Sequence, residues 1–179
     1  MEKTSKGVAA TVASVALIGV SLLALLAALN RKDQTVGLNQ EIRYDDLAFA
    51  VQGVRRARCP GGTESQANAD GVYYIVTLKI VNHAKRVDLA FKRASAILVD
   101  DAGREFHLSE TAQRAIESVE GDTCSGPIPA GASCTTELAF ELPGETQPSL
   151  LRISEGGALG DILDFVFYGT KRIALGSLQ

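Results

Sequence analysis

The sequence has little of what enzymes and nucleic-acid-binding proteins need. It carries 18 Lys and Arg against 21 Asp and Glu, a net charge of -3, so there is no basic excess for a nucleic acid to bind. It has no GxSxG, GxGxxG or GxxxxGK[ST] motif, and only two histidines. His83 lies in a polar turn and His107 on a predicted strand, where both are expected to be ordinary surface or strand residues. The sequence therefore predicts neither catalysis nor nucleic-acid binding.

Cysteines are few and odd in number. Cys59, Cys124 and Cys134 allow at most one intramolecular bridge, and one thiol is left over. There is no CxxC and no Cys/His cluster, so the chain lacks the four closely spaced ligands of a structural zinc site, and we expect no metal and no cofactor. Cys124 and Cys134 flank a segment with two prolines and two glycines, which favours a disulfide between them. A Cys59–Cys124 bridge, another pairing, or no bridge at all stays open.

One long apolar segment stands near the N-terminus. Residues 7–29 contain no charged side chain, and as a helix they would span about 34 Å, enough for a bilayer core of about 30 Å. Lys3 and Lys6 precede the segment, and Arg31 and Lys32 follow it. The pattern predicts a cytoplasmic tail at 1–6 and a transmembrane helix at 7–29, and the lipid bilayer is thus the first expected partner.

Three alternatives bear on this segment. A cleaved signal peptide would also have a basic start and an apolar middle, and would make the protein secreted. However, leucines occupy the positions where signal peptidase prefers small residues, and no cysteine is present for lipid attachment. A buried core helix is the third reading. Small residues four apart, such as Ala24 and Ala28, leave a homodimer through this helix open.

The orientation follows from weaker signals. Two basic side chains lie on each flank, so the positive-inside rule does not decide. The very short N-terminal tail favours the cytoplasmic side, and cysteines confined to the rest of the chain fit an oxidising compartment. We expect the N-terminus in the cytoplasm and the C-terminal domain outside it.

The rest of the chain reads as strands. Residues 30–40 are polar and predict a linker, and residues 41–179 a single domain. Within it, runs of alternating or β-branched residues predict strands. These runs are 47–52, 71–82, 95–99, 104–108, 134–142, 150–153 and 163–168. Residues 109–119 predict one short helix, with Ser109 or Thr111 as its cap.

Turn residues between these runs complete the fold prediction. Asp100-Asp-Ala-Gly103 predicts a hairpin between the third and fourth runs, and Pro- and Gly-rich breaks separate the others. Short strands with frequent turns favour an all-β fold, an immunoglobulin-like β-sandwich of about seven to eight strands with one short helix, preceded by the transmembrane helix.

Two charged clusters have plain structural explanations. Asp100, Asp101 and Glu105 could hold calcium across the hairpin, but Asp in a tight turn is ordinary turn chemistry. The dense basic run at Arg55, Arg56 and Arg58 could meet lipid headgroups or an acidic partner. A solvated strand end is the simpler interpretation of that run.

The order of motifs resembles a known family. The motifs are a strand ending in Val-Gln-Gly-Val-Arg at 51–55, a strand ending in Val-Asn at 73–82, the Asp-x-x-Gly hairpin within 97–106, and the Gly-to-Phe-x-x-Pro strand at 129–143. Together they are similar to a bacterial family of immunoglobulin-like domains of unknown function, akin to the mycobacterial immunoprotective extracellular antigen. The resemblance covers about residues 37–175. It implies an anchored domain outside the cell and brings no catalytic residues.

These observations lead to one main functional expectation. An anchor followed by a β-sandwich without a catalytic set predicts a non-enzymatic binding or accessory module with a protein partner in the cell envelope. The alternative is a small-ligand- or metal-sensing domain that uses the apolar interior or the acidic hairpin.

Overall fold

The protein is a two-sheet β-sandwich with one α-helix, in a computed structural model that describes residues 34–60, 71–120, 124–154 and 171–176. Nine strands occur within these residues. In chain order they are β1 Gln34–Val36, β2 Ile42–Tyr44, β3 Leu47–Ala57, β4 Gly71–Asn82, β5 Ala96–Asp100, β6 Glu105–Phe106, β7 Ser133–Pro143, β8 Pro148–Ile153 and β9 Lys171–Ala174. The helix, α1, spans Glu110–Glu120, and a 3-10 turn, Arg93–Ser95, precedes β5.

The strands form one sheet of five and one of four. The first has the order β1-β9-β8-β5-β6 and the second the order β2-β3-β4-β7. Neighbours are antiparallel except β1 and β9, which run parallel. The chain thus enters through an edge strand of the five-stranded sheet and crosses at once to the edge of the other sheet.

Alternation of side chains along the long strands builds the core. Tyr74, Val76, Leu78 and Ile80 of β4 all point between the sheets, as the period of two predicts. Fully buried residues of the facing sheet, such as Leu98, meet them there. Each strand therefore contributes one apolar face to a shared interior.

The opposite face of β4 has its own small cluster. Tyr73 and Ile75 are buried against Ala112 and Ile116 of α1, with Ala139 of β7. This explains why β4 is apolar on both faces over its first half, and why the alternation is clean only beyond Ile75. The helix thereby fastens to the outside of the four-stranded sheet.

Helix α1 also covers the exposed edge of β7. The Gln113 side chain donates from Nε2 to the carbonyl of Glu137 (2.8 Å) and accepts at Oε1 from the Ala139 N–H (3.1 Å). The Ser109 N–H donates to the Ala139 carbonyl (2.8 Å). One amide side chain therefore takes the place of a neighbouring strand at an edge that could otherwise pair with another chain.

The sandwich has two ends that differ in what they hold. We call the end where the described chain begins the entry end; there Gln34 pairs with Lys171, and Lys171 with Ile153. The opposite end, the far end, contains the pair Asp100 and Pro148 and the pair Gly71 and Pro143. Because binding residues are often carried by loops, the loops at the two ends are candidate functional surfaces.

The sequence located most of the long elements. Six of the predicted strands and the helix at 109–119 have counterparts within three residues at their starts; β3 continues to Ala57 through a bulge at Gln52, and β6 is shorter than predicted. The predicted strand at 163–168 lies outside the described residues. Strands β2 and β9 were not predicted because three- and four-residue strands are too short to show a period.

One boundary is corrected. Residues 34–36 lie within the predicted linker 30–40, yet they form β1 and pair in register with β9. The prediction was wrong at this point because an edge strand with two exposed residues needs no apolar alternation. The folded domain therefore begins by residue 34 rather than at 41.

No helix among residues 34–60, 71–120, 124–154 and 171–176 is long and apolar enough to cross a bilayer. The predicted cytoplasmic tail at 1–6 and transmembrane helix at 7–29 lie outside these residues.

Candidate functional site

The two histidines lie apart on the surface. His83 Nε2 is 3.1 Å from Glu41 Oε1, in an exposed pair, and His107 is an exposed residue just after β6. Among the residues that the structure describes, no group of three His, Cys, Asp or Glu side chains is placed to hold a metal ion.

The Asp100 carboxylate accepts hydrogen bonds from residues of its own hairpin turn. Its Oδ1 accepts from the N–H groups of Ala102 (3.0 Å) and Arg104 (2.8 Å), and its Oδ2 from Arg104 Nε (2.6 Å). Gly103 has φ of +78°, the left-handed conformation that the glycine of such a loop supplies. These contacts lie within the hairpin turn, as the turn interpretation predicts.

The pKa of Asp100 reflects two opposing effects. Burial raises the pKa of the carboxyl, but hydrogen bonds from the Arg104 backbone and guanidinium, the charge of Arg104 and the Ala102 N–H together outweigh burial. The pKa of Asp100 is thus held below its ordinary value, and the ionised form is the one that the turn stabilises.

The Glu105 carboxylate forms an ion pair with a different arginine, Arg152. Its two oxygens accept from Arg152 Nη1 (2.7 Å) and Nη2 (2.9 Å) on the outer face of the five-stranded sheet. The hydrogen bonds from Arg152 lower the pKa of Glu105 despite partial burial, helped by the charges of Arg152 and His107. Asp101 is exposed at the turn. The structure does not bring Asp100, Asp101 and Glu105 together as a cation site.

The far end is a set of loops tied by hydrogen bonds. Arg104 Nη2 donates to Thr146 Oγ1 (3.2 Å), and the Tyr74 hydroxyl donates to the Thr146 carbonyl (3.0 Å). The Thr146 N–H in turn donates to the Pro143 carbonyl (2.8 Å). The hairpin after β5, the turn after β7 and the interior of β4 are thus one connected network, and the loop tips that project from it are held in fixed positions.

The basic run belongs to the same end. Arg55 forms an ion pair with Glu137 (2.8 Å) on the outer face of the four-stranded sheet, and Arg56 Nη2 donates to the Gly144 carbonyl (2.8 Å). Arg58 and Cys59 are exposed beyond the end of β3. The run is therefore a partly engaged strand end, which adds positive charge beside the far-end loops.

At the entry end, hydrogen bonds of the Asn82 side chain link two loops. Its Nδ2 donates to the carbonyls of Val87 (2.8 Å) and Ile128 (2.9 Å), and its Oδ1 accepts from the Ala84 N–H (2.8 Å). The Asn82 side chain is fully buried, and its own polar atoms are satisfied by these three backbone groups. The Val-Asn strand end, one of the motifs that carried the family resemblance, is thus a structural joint between two loops.

The disulfide closes one of those loops. Cys124 and Cys134 are bonded, with their Cα atoms 5.5 Å apart, which is the pairing that the sequence favoured. Inside the loop, Ile128 exchanges two backbone hydrogen bonds with Leu89, and Gly131, with φ of +76°, donates its N–H to the Asn82 carbonyl. Cys59 is the free and exposed thiol among the three.

A cavity of about 100 Å³ opens at the entry end between the sheets. Nine residues from β2, β3, the segment before β5 and the end of β8 line it. They are Tyr44, Leu47, Phe49, Ala90, Phe91, Lys92, Ser95, Ile153 and Ser154. The rings of Phe49 and Phe91 lie 5.6 Å apart and tilted, so aromatic side chains form part of its wall. The wall thus combines apolar side chains with the polar side chains of Lys92, Ser95 and Ser154, a combination that also occurs in small-ligand sites.

Sequence reasoning missed this cavity and the joints at both ends. Phe49 was recognised only as a core residue, and Phe91 lies in a loop with no strand or helix period. Nothing local distinguishes Asn82 or Gln113 from surface amides, because their partners are up to 46 and 26 residues away. Whether a side chain lies within hydrogen-bond distance of a backbone group far along the chain depends on the tertiary fold, and the local sequence does not encode it.

Comparisons with known proteins agree with this architecture. A family model described as a domain of unknown function, DUF4352, matches residues 36–161, well over half of the chain. No curated protein matches the sequence significantly.

Several solved structures share the fold. The yjhA protein from Bacillus subtilis is similar with a TM-score of 0.55 at 12% identity, over 78% of this chain and 98% of that one. A conserved hypothetical protein from Bacillus anthracis gives 0.53 at 16%, over 65% and 87%. The secreted protein MPT63 from Mycobacterium tuberculosis gives 0.52 at 14%, over 73% and 94%. At such identities the likeness is one of fold alone, and the link to the mycobacterial antigen is structural.

Proposed function

Because the chain belongs to the family described as a domain of unknown function, DUF4352, we propose that it is a membrane-anchored, extracytoplasmic, immunoglobulin-like module that binds a protein partner through its far end. The apolar segment 7–29 is its anchor, with the N-terminus in the cytoplasm. The secreted MPT63 protein, which shares the fold, supports a location outside the cytoplasm. Release after signal-peptide cleavage is the alternative for the anchor.

The observation that carries the proposal is the position of the entry strand. β1 begins at the entry end and runs toward the far end, so a bilayer attached before residue 34 lies beside the entry end. The far-end loops then face away from the membrane. Their tips at Ala102 and Glu145 are exposed, while Asp100 and Thr146 beneath them are buried. Loops with fixed conformations lose little entropy on binding, which favours affinity.

The chemistry of the described residues supports a non-catalytic role. The histidines are separated on the surface, and Asp100 and Glu105 of the hairpin are paired with two different arginines rather than directed at a common point. The far end presents charges of both signs, including Arg58, Asp101 and Glu145. A polar partner surface in the envelope complements such loops.

Site-specific photo-crosslinking in intact cells tests the proposal. A photoreactive residue at position 102, on the far-end hairpin, should give a discrete higher-mass adduct whose second component mass spectrometry identifies. The matched control is the same residue at position 85, an exposed site in the loop after β4 at the entry end. Adducts from position 85 but not from 102, or only self-adducts from both, would overturn the far-end binding model; self-adducts would favour the homodimer.

The entry-end cavity favours a second candidate function, the sensing of a small ligand. It would be detected as a ligand-dependent rise in the midpoint of heat denaturation of the full chain.

A further inference from the structure

We propose that the entry-end cavity binds the aliphatic end of a fatty acid, with Lys92 as the partner of the carboxylate. The inference adds a ligand to the domain and rests on the proposed membrane anchor for the source of that ligand.

The lining combines apolar walls with a single charge. Leu47, Phe49, Phe91 and Ile153 supply aliphatic and aromatic surface, and Lys92 is the one charged residue of the nine. Lys92 is exposed, whereas Leu47, Phe49 and Ile153 are buried. An apolar interior below an exposed cation matches a molecule with an aliphatic tail and an anionic head.

The rim is held in place by the protein itself. The Ser95 N–H and Oγ both donate to the Lys92 carbonyl (2.9 and 2.6 Å), and the Ser154 N–H donates to the Ser95 carbonyl (2.9 Å). Arg93, inside the same 3-10 turn, pairs with Glu117 of α1. The segment that carries Phe91 and Lys92 is therefore fixed before any ligand arrives, so little order has to be created on binding.

The size of the cavity limits the part of the ligand that enters. A dry cavity of about 150 Å³ lined by aliphatic and aromatic side chains accommodates benzene, a molecule of six carbons. A volume of about 100 Å³ corresponds in proportion to about four carbons. The cavity is thus too small for a whole long chain and suits a short aliphatic segment, with the remainder of the molecule outside.

The position of the cavity brings it near the bilayer. Only residues 30–33 separate the proposed transmembrane segment from Gln34, and this stretch can reach at most about 18 Å. Gln34 pairs with Lys171, which pairs with Ile153 of the cavity wall. A fatty acid in the outer leaflet or in the adjacent water would meet this end of the domain first.

Calorimetric titration of the full chain in phosphatidylcholine nanodiscs tests the site, with empty nanodiscs as the blank. Propanoate, butyrate, pentanoate and hexanoate remain mostly in water and serve as probes. We expect saturable binding that tightens about fourfold for each added methylene until the cavity is filled, and then levels off. Hexylamine, with the same number of carbons as hexanoate and the opposite charge, should bind at least tenfold more weakly.

Two substitutions locate the binding. Ala90→Phe, at an exposed lining position, should narrow the cavity and weaken hexanoate at least tenfold. Lys92→Gln should weaken all the carboxylates by a similar factor and reduce the preference over hexylamine. Lys85→Gln removes an exposed lysine outside the lining and should leave every affinity unchanged. A variant with an intact denaturation transition is required for each comparison.

The outcomes separate this site from the protein-binding function. Absence of saturable binding, equal affinity for propanoate and hexanoate, or wild-type binding by Ala90→Phe would overturn the site. Hexanoate binding in a chain that yields no far-end adduct keeps the site and rejects the far-end partner. Palmitate incorporated in the nanodiscs then distinguishes the source: competition with hexanoate identifies the bilayer, and its absence identifies a water-borne carboxylate.

Discussion

Asn82 is fully buried, and its side chain forms hydrogen bonds with three backbone groups, those of Ile128 and Ala84 in buried surroundings and that of Val87 in partly buried ones. Replacing it with alanine leaves the carbonyls of Val87 and Ile128 and the N–H of Ala84 without this partner. We expect Asn82→Ala to lower the free energy of unfolding by about 2–4 kcal/mol. Chemical denaturation measures the change. Lys85→Ala, in the same loop but exposed, is the control and should stay within about 0.5 kcal/mol of wild type.

The two lowered carboxyl pKa values predict an acid-sensitive far end. Because the pKa values of Asp100 and Glu105 are lower in the folded protein than in the unfolded chain, their ionised forms favour folding. That contribution is complete above the ordinary carboxyl range, at about pH 5 and higher. It is lost as the pH falls through that range toward the lower folded values.

Denaturation series between pH 3 and pH 7 check this direction. The stability difference between wild type and Asp100→Asn should be largest at neutral pH and shrink toward pH 3. Glu105 is substantially exposed, so solvent screens its pair with Arg152 and Glu105→Gln should show a smaller difference. Parallel curves for wild type and Asp100→Asn would contradict the assignment of Asp100.

Among the elements, helix α1 has a role that its sequence does not predict. The sequence at 109–119 predicted a helix, and in the structure the buried face of that helix meets Tyr73 and Ile75. The use of Gln113 as a substitute for a strand depends on the distance between α1 and β7, which no local pattern encodes. Periodicity therefore yields the element and its buried face, while tertiary distance determines what its polar side chains do.

Truncation of Gln113 tests the edge-covering role. In Gln113→Ala the carbonyl of Glu137 and the N–H of Ala139 lose their partner on an edge strand. We expect a loss of about 1–3 kcal/mol in the free energy of unfolding and more self-association, because open edges pair with other chains. Sedimentation velocity measures the association. Arg114→Ala, one residue along on the exposed side, should change neither quantity appreciably.

The disulfide loop is the second element with a measurable contribution. Replacing Cys124 and Cys134 together with serine releases a loop that spans a sequence separation of 10 residues. On the chain-entropy view this costs about 2–4 kcal/mol of stability. Cys59→Ser, which removes the exposed thiol, should leave the denaturation midpoint unchanged. Equal stability of the double variant and wild type would mean that Asn82 and the Leu89–Ile128 pairing hold the loop without the bridge.

For the whole molecule, the sequence was most informative about the layers of the fold and least about its ends. Strands such as β4 and β7 are eleven or twelve residues long and contain the alternating or β-branched runs that predict strands, and their apolar faces require a second sheet. The entry strand Gln34–Val36 lies in the predicted linker 30–40, because its pairing with β9, and not a pattern in its own sequence, makes it a strand. The cavity requires Tyr44, Phe91 and Ile153 to meet across the sandwich, and these are parts of the chain that no motif connects.

Labelling of the Cys59 thiol tests on which side of the membrane the domain lies. This thiol is free and exposed at the far end, whereas the other two cysteines are bonded to each other. A membrane-impermeant maleimide added to intact cells should therefore label the chain, and the Cys59→Ser variant should not be labelled. Labelling only after the cells are lysed would contradict the proposed orientation and leave the domain in the cytoplasm.

The direction of β1 has a mechanical consequence. With a bilayer at the entry end and a partner at the far end, tension between the two is directed along the strands. A pull on the chain before Gln34 then shears the β1–β9 ladder, so the hydrogen bonds of all three paired residues resist together. Had β1 run in the opposite direction, the same tension would peel it away one pair at a time. The direction of β1 thus loads the point of attachment in shear rather than in peeling.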